Sequence, residues 1–330
     1  MRIFVYIFLI ISLLLASTLL LCGCSFDGET EMIKHTYSIS EDIKSIDVLV
    51  KKADFSVSIT TDDIETAKLE LIYSKKAISD YSVSDGTLSV TAKRNFPLNI
   101  FNGEEGKIIL TLPKKDYKTL SINSSSGDIT LKEISFTGSV KIDATSSDVE
   151  FSGVAAYSLI CDITSGDFDA ENCSVVKEIT HKSTSGEVNA DKISAESLEI
   201  DLTSGDADIK NSVFTSLLAK STSGDIELNG VTVTKEASLD LNSGCVDIDS
   251  STFGSFKSES TSGNLVMKNS DAGELDISST SGDITLTLLT PKNFVVETTS
   301  GKQDVIGTVY TQPLCKINTT SGDVTVRIAE

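Results

Sequence analysis

Hydrophobic and polar residues alternate on both sides of a short polar phrase that recurs from residue 124 onward. Apolar residues stand seven and five positions before the glycine of this phrase, as at Leu120 and Ile122, and two and four positions after it, as at Ile129 and Leu131. The phrase reads Ser/Thr-Ser-Gly-Asp, and its glycine position recurs eleven times at intervals of 19 to 21 residues, at positions 127, 147, 166, 186, 205, 224, 244, 263, 282, 301 and 322. A period of two on each side of a turn predicts two strands per repeat.

One such repeat cannot bury its apolar face, whereas stacked repeats form continuous ladders of similar side chains. Strands that stack in this way are parallel, with the rest of each repeat as the crossover. We therefore predict an all-β fold, a single-stranded parallel β-solenoid (β-helix) of about eleven coils of 19–21 residues. With strands about 4.8 Å apart, these coils form a rod on the order of 50 Å long.

The region before the repeat keeps strand patterning but loses the period. Ile46, Val48 and Val50 precede Ala53 as in a degenerate coil. Residues 66–112 predict wider coils or a β cap, because a solenoid needs atypical terminal units. We expect a loop over 95–106, a degenerate N-terminal β cap over 43–119, and the β-solenoid proper over 120–330.

The N-terminus has the pattern of an export signal. Arg2 precedes an apolar run over residues 3–21, and Leu21-Cys22-Gly23-Cys24 resembles a bacterial lipobox. That resemblance implies a lipoprotein signal peptide over 1–23, lipidation of Cys24, and a lipidated tether over 24–42. An uncleaved signal anchor is the alternative, since about 19 apolar residues can just span a bilayer. Both interpretations place the protein at the bacterial cell membrane, on its extracytoplasmic face.

Composition narrows the choice of partners. The chain has 28 Lys and Arg against 48 Asp and Glu, for a net charge of -20, so neither nucleic acid nor an anionic surface is an expected partner. The cysteines after Cys24 are too scattered for a disulfide framework or a metal site. Three of them are predicted to face inward and Cys245 to lie at a turn; the inward ones are Cys161, Cys173 and Cys315.

Three features together resemble a known family. They are the Ser-Gly-Asp turn repeat, the strand that ends in Leu112-Pro113, and the repeat entry from Leu120 to Ile129. They resemble the bacterial putative adhesin family, β-strand-repeat proteins catalogued as a domain of unknown function, over about residues 43–330. The resemblance implies the β-repeat fold and a location in the cell envelope. Turns that depart from the pattern contain Ser147, Cys245, Asn264 and Lys302.

A column of acids follows the turn glycines and is the most suggestive feature for chemistry. Calcium prefers several oxygen ligands, and Thr or Ser hydroxyls stand beside each acid, so a cation ladder is one hypothesis. The other is that each acid caps its own turn through backbone amides. The candidates are Asp128, Asp148, Asp167, Glu187, Asp206, Asp225, Asp283 and Asp323.

No constellation typical of an enzyme is present in the sequence. The two histidines are His35, in the tether, and His181, on an inward column without a catalytic partner pattern. The chain has neither a phosphate-binding loop nor a nucleophile elbow. The period never exceeds 21 residues, which leaves few loops to build a cleft. We therefore expect a protein that is not an enzyme, without a cofactor unless the acid column binds calcium.

The function that follows is a binding module or scaffold of the cell envelope, anchored to the membrane by lipid. Its partner would be a cell-wall polymer, a surface glycan or an envelope protein. An envelope-stress or regulatory accessory protein with a protein partner is an alternative, as is a polysaccharide-acting β-helix enzyme. End-to-end or lateral self-assembly is a further hypothesis, because the last coil ends at Glu330 without an evident cap.

Overall fold

The computed structural model describes residues 31–94, 106–309 and 314–329. The predicted signal peptide, Cys24 and nearly all of the predicted loop over 95–106 lie outside these ranges. Every regular element within the ranges is a β-strand, and no helix there is long and apolar enough to cross a membrane. Residues Met32–Glu330 form one compact unit.

Two sheets run along the body, and each coil contributes one strand to each sheet. We call them the front sheet and the back sheet. The front sheet, in spatial order, contains β5 (Ala77–Ser84), β6 (Thr87–Arg94), β2 (Ser45–Lys51), β9 (Thr119–Ser126), β12 (Ser139–Ser146), β15 (Ser158–Ser165), β18 (Glu178–Ser185), β20 (Ser194–Ser204), β22 (Val213–Ser223), β24 (Thr232–Ser243), β26 (Thr252–Ser262), β27 (Leu265–Ser281), β31 (Leu314–Ser321) and β29 (Asn293–Ser300).

The back sheet has shorter strands, and β27 belongs to both sheets because it continues around a corner. Its spatial order is β1 (Met32–Ile39), β4 (Ala67–Ser74), β7 (Gly106–Pro113), β3 (Phe55–Asp62), β10 (Ile129–Lys132), β13 (Val149–Ser152), β16 (Phe168–Glu171), β19 (Val188–Asp191), β21 (Ala207–Lys210), β23 (Ile226–Asn229), β25 (Val246–Asp249), β27, β28 (Ile284–Leu288), β32 (Val324–Ile328) and β30 (Gln303–Val305). Four corner strands complete the set: β8 (Asp116–Tyr117), β11 (Ser135–Phe136), β14 (Ala155–Ala156) and β17 (Ser174–Val175).

The predicted parallel solenoid is confirmed. Strands of successive coils pair in parallel and in register, so that Val140 lies beside Leu159 and Ile142 beside Cys161. Because alternate residues of a strand point to opposite faces, this register stacks the apolar side chains in columns between the two sheets. At the position seven residues before the turn glycine, ten of the eleven side chains are buried, and Phe294 is the exception.

A third inward column lies at the corner after each back-sheet strand, as the apolar spacing predicts. Ile134, Val154 and Ile193 occupy it, and serine replaces the apolar residue in three coils. The Ser212 hydroxyl donates to the Lys210 carbonyl (2.5 Å) and accepts from the Ile193 amide (3.1 Å), which satisfies a buried polar group. The other two serines are Ser251 and Ser270. Leu289, also expected to face inward, is instead half exposed, because the chain leaves the stacked path there.

The N-terminal end is closed by antiparallel strands. Strand β1 pairs with β4, β4 pairs with β7, and β5 pairs with β6, all antiparallel. Tyr37 of β1 and Tyr81 of β5 meet with ring centroids 4.6 Å apart, so the two sheets contact each other at this end. The predicted tether over 24–42 is therefore wrong at its C-terminal side. Residues Met32–Ile39 are a paired strand, and alternation as weak as that of Ile33, Tyr37 and Ile39 did not indicate one.

The order of coils in space differs from their order in the chain at both ends. The first coil, β2 and β3, lies between the β6/β7 coil and the β9/β10 coil. At the other end, the last coil of the chain, β31 and β32, is inserted between the β27/β28 coil and the β29/β30 coil. The expectation that the solenoid ends with the last residues of the chain is thus wrong, and β29 and β30 form its C-terminal end in space.

Candidate functional site

The recurrent turn is the structural element that joins the two sheets. Gly205 has a φ of +129°, and a Cβ on it would lie 1.9 Å from the carbonyl oxygen of Gly186 in the preceding coil. Glycine is therefore required by the backbone conformation and by the close approach of successive turns. At position 147 a buried serine replaces the glycine, and its hydroxyl has no hydrogen-bond partner.

The acids that follow the glycines join neighbouring turns. The amide of Asp225 donates to Asp206 Oδ1 (2.8 Å), and the amide of Glu187 donates to Asp167 Oδ1 (2.8 Å). The amide of Asp283 donates in the same way to Asn264 Oδ1 (2.8 Å), where no charge is present. One of the two hypotheses from the sequence was that each acid caps its own turn. The amide belongs instead to the adjacent coil, because parallel register brings equivalent turns within hydrogen-bond distance.

These bonds give the column a structural role and leave its second carboxylate oxygens at the surface. Most of the column is exposed, and Asp167 is half-buried. Within the described ranges, no group of three or more His, Cys, Asp or Glu side chains could hold a metal ion. Calcium binding by Asp128, Asp148, Asp206 and the other acids of the column stays a prediction.

Hydroxyl side chains flank the turns on the front sheet. The residue two positions before the glycine is exposed in ten of the eleven coils, and it is threonine in nine coils. Serine occupies the next position in all eleven coils. Since the strands are in register, the threonines form a straight row at the strand spacing of about 4.8 Å. The exposed threonines are Thr145, Thr164, Thr184, Thr203, Thr222, Thr261, Thr280, Thr299 and Thr320.

A groove of about 480 Å³ lies on the outer face of the back sheet. The inward residues at its floor are small, Ala170 and Ala190, where the other coils carry Leu, Ile, Phe, Met or Val. This groove was not predicted from the sequence, although the two alanines interrupt the column of large apolar residues. Its charged lining is Glu150, Asp169, Glu171, Asp191, Asp208 and Lys210.

The charges inside this acidic groove are only partly balanced. Lys210 Nζ contacts Asp208 Oδ2, whereas Asp208 Oδ1 is buried without a hydrogen-bond partner. Asp191 accepts hydrogen bonds from Asn211 and Lys192, which lower the pKa of its carboxyl group. The groove is therefore an anionic surface, with five acidic side chains against one lysine. A smaller groove of about 250 Å³ lies near the N-terminal end, on the front sheet, between Ile78 and Lys93.

His181 is buried in the core, as its inward column predicts. Its ring stacks on Phe168 with centroids 4.7 Å apart, and neither ring nitrogen has a hydrogen-bond partner. Burial lowers the pKa of this imidazole to about 4. A neutral histidine that is buried away from solvent cannot act as a general base on a surface substrate. His35 lies on β1 and stacks on Tyr37 and Tyr73.

The cysteines lie at the positions predicted from the inward columns and from the turn repeat. Cys161, Cys173 and Cys315 are buried, and burial raises the pKa of each thiol. Cys245 is exposed at the turn, and its amide donates to Asp225 Oδ1 (2.6 Å). A buried thiol with a raised pKa is unreactive, so Cys245 is the reactive thiol among those that the structure describes.

The connections between strands are short, which leaves few residues to form a cleft. From Thr119 to Leu288, no connection between consecutive strands exceeds two residues. Active sites on rigid scaffolds are usually built from longer loops. The surface of this segment therefore consists of sheet faces and turn rows, which suit the binding of an extended or repetitive partner.

Several solved structures are similar to this chain at low sequence identity. A "putative adhesin" from Bacteroides fragilis NCTC 9343 is 16% identical, over 76% of this chain and 97% of that one, with a TM-score of 0.38. A "putative adhesin" from Parabacteroides distasonis ATCC 8503 is 13% identical, over 74% and 98%, with a TM-score of 0.45. A "putative lipid binding protein" from the same organism is 15% identical, over 92% and 98%, with a TM-score of 0.38. No curated protein matches the chain.

The family comparison extends over nearly the whole described body. The model of the Toastrack DUF4097 family matches residues 43–256 and 252–330. These ranges contain all eleven turns and the coils of both interleaved ends. They also agree with the extent of the resemblance that the sequence indicated. The chain belongs to the Toastrack DUF4097 family, a domain family of unknown function.

Proposed function

We propose that this protein is a lipid-anchored binding module or scaffold on the extracytoplasmic face of the bacterial cell membrane. The observation that carries the proposal is the row of exposed threonines beside the turns, repeated from coil to coil, with connections of at most two residues between consecutive strands from Thr119 to Leu288. A row of equally spaced hydroxyls matches a partner that is itself repetitive. A cell-wall polymer or a surface glycan has this property.

The anchor in this proposal is Cys24, acylated after removal of residues 1–23. Few residues separate Cys24 from Met32, where β1 begins, so the anchor would hold the N-terminal end of the solenoid at the membrane. One acyl chain binds a membrane weakly, and stable attachment therefore requires the two or three chains of a mature lipoprotein. Because the net charge is -20, anionic lipid headgroups would repel the body and favour its position away from the membrane surface.

Calcium has a defined place in the proposal. Six of the eight acids of the turn column use one oxygen for the amide of a neighbouring coil, and the other oxygen can face a cation or a polar ligand; the six are Asp148, Asp167, Asp206, Asp225, Asp283 and Asp323. A calcium ion between a column carboxylate and an anionic wall polymer would join two negative partners. This role is separable from folding, because Asn264 makes the same inter-coil bond without a charge.

The acidic groove favours a second candidate, an accessory protein with a protein partner. Its lining carries Glu150, Asp169 and Glu171 on adjacent coils, in a concave sheet face. A basic segment of an envelope protein would be attracted to this surface. The groove and the threonine row lie on opposite sheets, so the two candidates predict effects from different substitutions.

Co-sedimentation with purified cell-wall sacculi tests the proposal. The protein from Ser25 onward is pelleted with sacculi in calcium and in chelator. We expect saturable pelleting that is lost when four neighbouring threonines of the row are replaced by alanine, while a matched variant with four outward residues of the same coils replaced on the back sheet still binds. The first set is Thr164, Thr184, Thr203 and Thr222, and the matched set is Asp169, Asn189, Asp208 and Glu227.

The outcomes separate the candidates. Loss of binding only in the matched set would place the wall-binding surface at the acidic groove and not at the threonine row. Replacement of Asp148, Asp167, Asp206 and Asp225 by asparagine removes charge and keeps the inter-coil acceptor, so a calcium role requires that this variant lose the calcium dependence. Absence of pelleting under every condition would refute wall binding. Retention of a diacylglyceryl group in full-length protein expressed in bacteria, and its loss in Cys24→Ala, tests the anchor.

A further inference from the structure

The two ends of the solenoid differ, and the C-terminal end in space is open. Strand β29 pairs with β31 on one side and β30 pairs with β32 on one side. No described residue pairs with the other edge of either strand. Parallel strands with free amides and carbonyls are templates for pairing with another chain.

At this end of the core, no described residue covers the last side chains of the apolar columns. Phe294, Val296 and Val305 are only partly buried, whereas their equivalents in the next coil inward, Cys315, Ile317 and Val326, have no exposed surface. Around them, Val295 is 41% exposed and Ile306 is 57% exposed. These side chains have the spacing of a coil. A surface with the same spacing would therefore cover them best.

Charge at this end is sparse and balanced, unlike that of the body. Lys302 is the terminal member of the acid column and the basic exception in it. Asp304 is paired with Arg327 of the neighbouring coil, and Glu297 is the acid on β29. Two such ends can approach each other without the repulsion that two acidic faces of the body would produce.

The N-terminal end cannot serve as the complement. The antiparallel strands β1, β4 and β5 close it, and the contact of Tyr37 with Tyr81 joins the sheets across it. In a head-to-tail stack the apolar columns of the open end would meet this covered end and would not continue into another core. This leaves an identical open end as the matching surface, which gives a closed two-fold pair and no fibre.

We propose that the open end is a self-association surface, in which two copies of this protein pair tail to tail through β29 and β30. A two-fold axis across the end reverses strand direction, so the new strand pairs are antiparallel. The apolar columns of both copies then continue into each other. Strand β29 has eight residues and extends about 26 Å, and the sheets are about 10 Å apart.

These dimensions give an end face of about 260 Å², so a pair of ends covers about 520 Å², which is less than a standard specific interface buries. The pair is therefore weak in solution, in the micromolar range or above. If the lipid anchor proposed above holds the N-terminal end at the membrane, the open end is distal. Tail-to-tail pairing would then join rods from facing surfaces. This consequence rests on the proposed anchor, whereas the pairing itself does not.

Analytical ultracentrifugation and spin-label distances test the pairing without the anchor. The protein from Ser25 onward, with Cys245→Ser to remove the exposed native thiol, is studied from about 10 μM to about 1 mM, a range that brackets a weak interface of this size. We expect a reversible monomer–dimer equilibrium. A label at Thr299→Cys lies at the open end, and one at Glu65→Cys lies at the closed end. In the dimer the Thr299 labels are within about 30 Å, and the Glu65 labels are more than about 80 Å apart.

Substitution within the open end provides the second readout. Val305→Lys places a charge in the proposed interface and, because Val305 is already partly exposed, should leave the monomer folded by circular dichroism. We expect it to weaken dimerisation at least tenfold. Ile78→Lys, at an exposed apolar residue of the other end, is the matched control and should change nothing. A monomer at every concentration, a close pair of Glu65 labels, or equal dimerisation of folded Val305→Lys would overturn the proposal.

Discussion

Mild acid should destabilise this solenoid through one buried side chain, His181. The imidazole lies in an inward column between Cys161 and Ile200, stacked on Phe168. It has no hydrogen-bond acceptor or carboxylate to stabilise a proton, so burial lowers its pKa to about 4, from an ordinary value of 6.5. Protonation therefore favours the unfolded chain, where the histidine is in water.

The magnitude follows from the two pKa values. Between about pH 6.5 and about pH 4 the unfolded state binds one proton that the folded state does not, so the free energy of unfolding falls as pH falls. The slope is about 1.4 kcal/mol per pH unit, which amounts to about 3 kcal/mol over the whole window. Nearly two thirds of this loss, about 2 kcal/mol, is reached by pH 5.

Urea unfolding at pH 7.5 and pH 5, followed by circular dichroism, measures this loss. The many carboxylates of the body also titrate, and a His181→Ile variant isolates the histidine because isoleucine is already present in the same column at Ile142 and Ile200. We expect the variant to lose about 2 kcal/mol less than the native chain between the two pH values. His35→Ala, which removes the exposed histidine, is the control. Equal losses in the native chain and His181→Ile would refute the reasoning.

Three further predictions concern the turns. Gly205→Ala should lower the free energy of unfolding in urea by about 3 kcal/mol or more, because the added Cβ meets a backbone carbonyl at 1.9 Å. Gly230→Ala is the control and should lower it by about 1 kcal/mol, because φ is +66° and the tight contact is with a side-chain oxygen at 3.2 Å. Asp206→Ala should cost about 1 kcal/mol through the lost inter-coil bond, and Asp206→Asn should be nearly neutral, since Asn264 already makes this bond; equal costs would contradict an acceptor role. A thiol reagent should label the folded protein from Ser25 onward once, at Cys245, as mass spectrometry of native and Cys245→Ser protein would show.

Much of the fold could be predicted because the solenoid repeats local information. The period around each turn glycine places Leu120 and Ile122 inward, and the structure confirms this in coil after coil. Ile46, Val48 and Val50 form the degenerate coil that the alternation indicated. In these elements the apolar pattern predicts the packing directly, since a residue that faces inward is covered by its counterpart in the next coil.

The interleaved ends could not be predicted from the same pattern. An inward column shows that a residue is covered, but not which coil covers it, because all coils have similar spacing. Leu314–Ser321 fits beside β27 as well as Asn293–Ser300 does. The neighbour is chosen by the connections, which the apolar period does not describe. The N-terminal strand Met32–Ile39 was missed for a related reason, since its partner Ala67–Ser74 is antiparallel and outside the repeat.

The candidate sites could likewise be predicted only in part from the sequence. The acid column was visible in the sequence, whereas its hydrogen bonds to the adjacent coil depend on register, which only the structure provides. The acidic groove combines the small inward residues Ala170 and Ala190 with charged side chains of several coils, and only the structure shows that these residues line one concave surface.

The placement of the last coil of the chain inside the stack has a consequence for how such a rod can change in length. The strands Leu314–Ser321 and Val324–Ile328 are covered on both sides, so a copy of the repeat added after them would find no free edge to extend. A copy inserted between interior coils, such as those around Gly205 and Gly224, would find equivalent neighbours above and below. Longer and shorter members of this architecture should therefore differ by duplication or deletion of interior coils, with both terminal units retained.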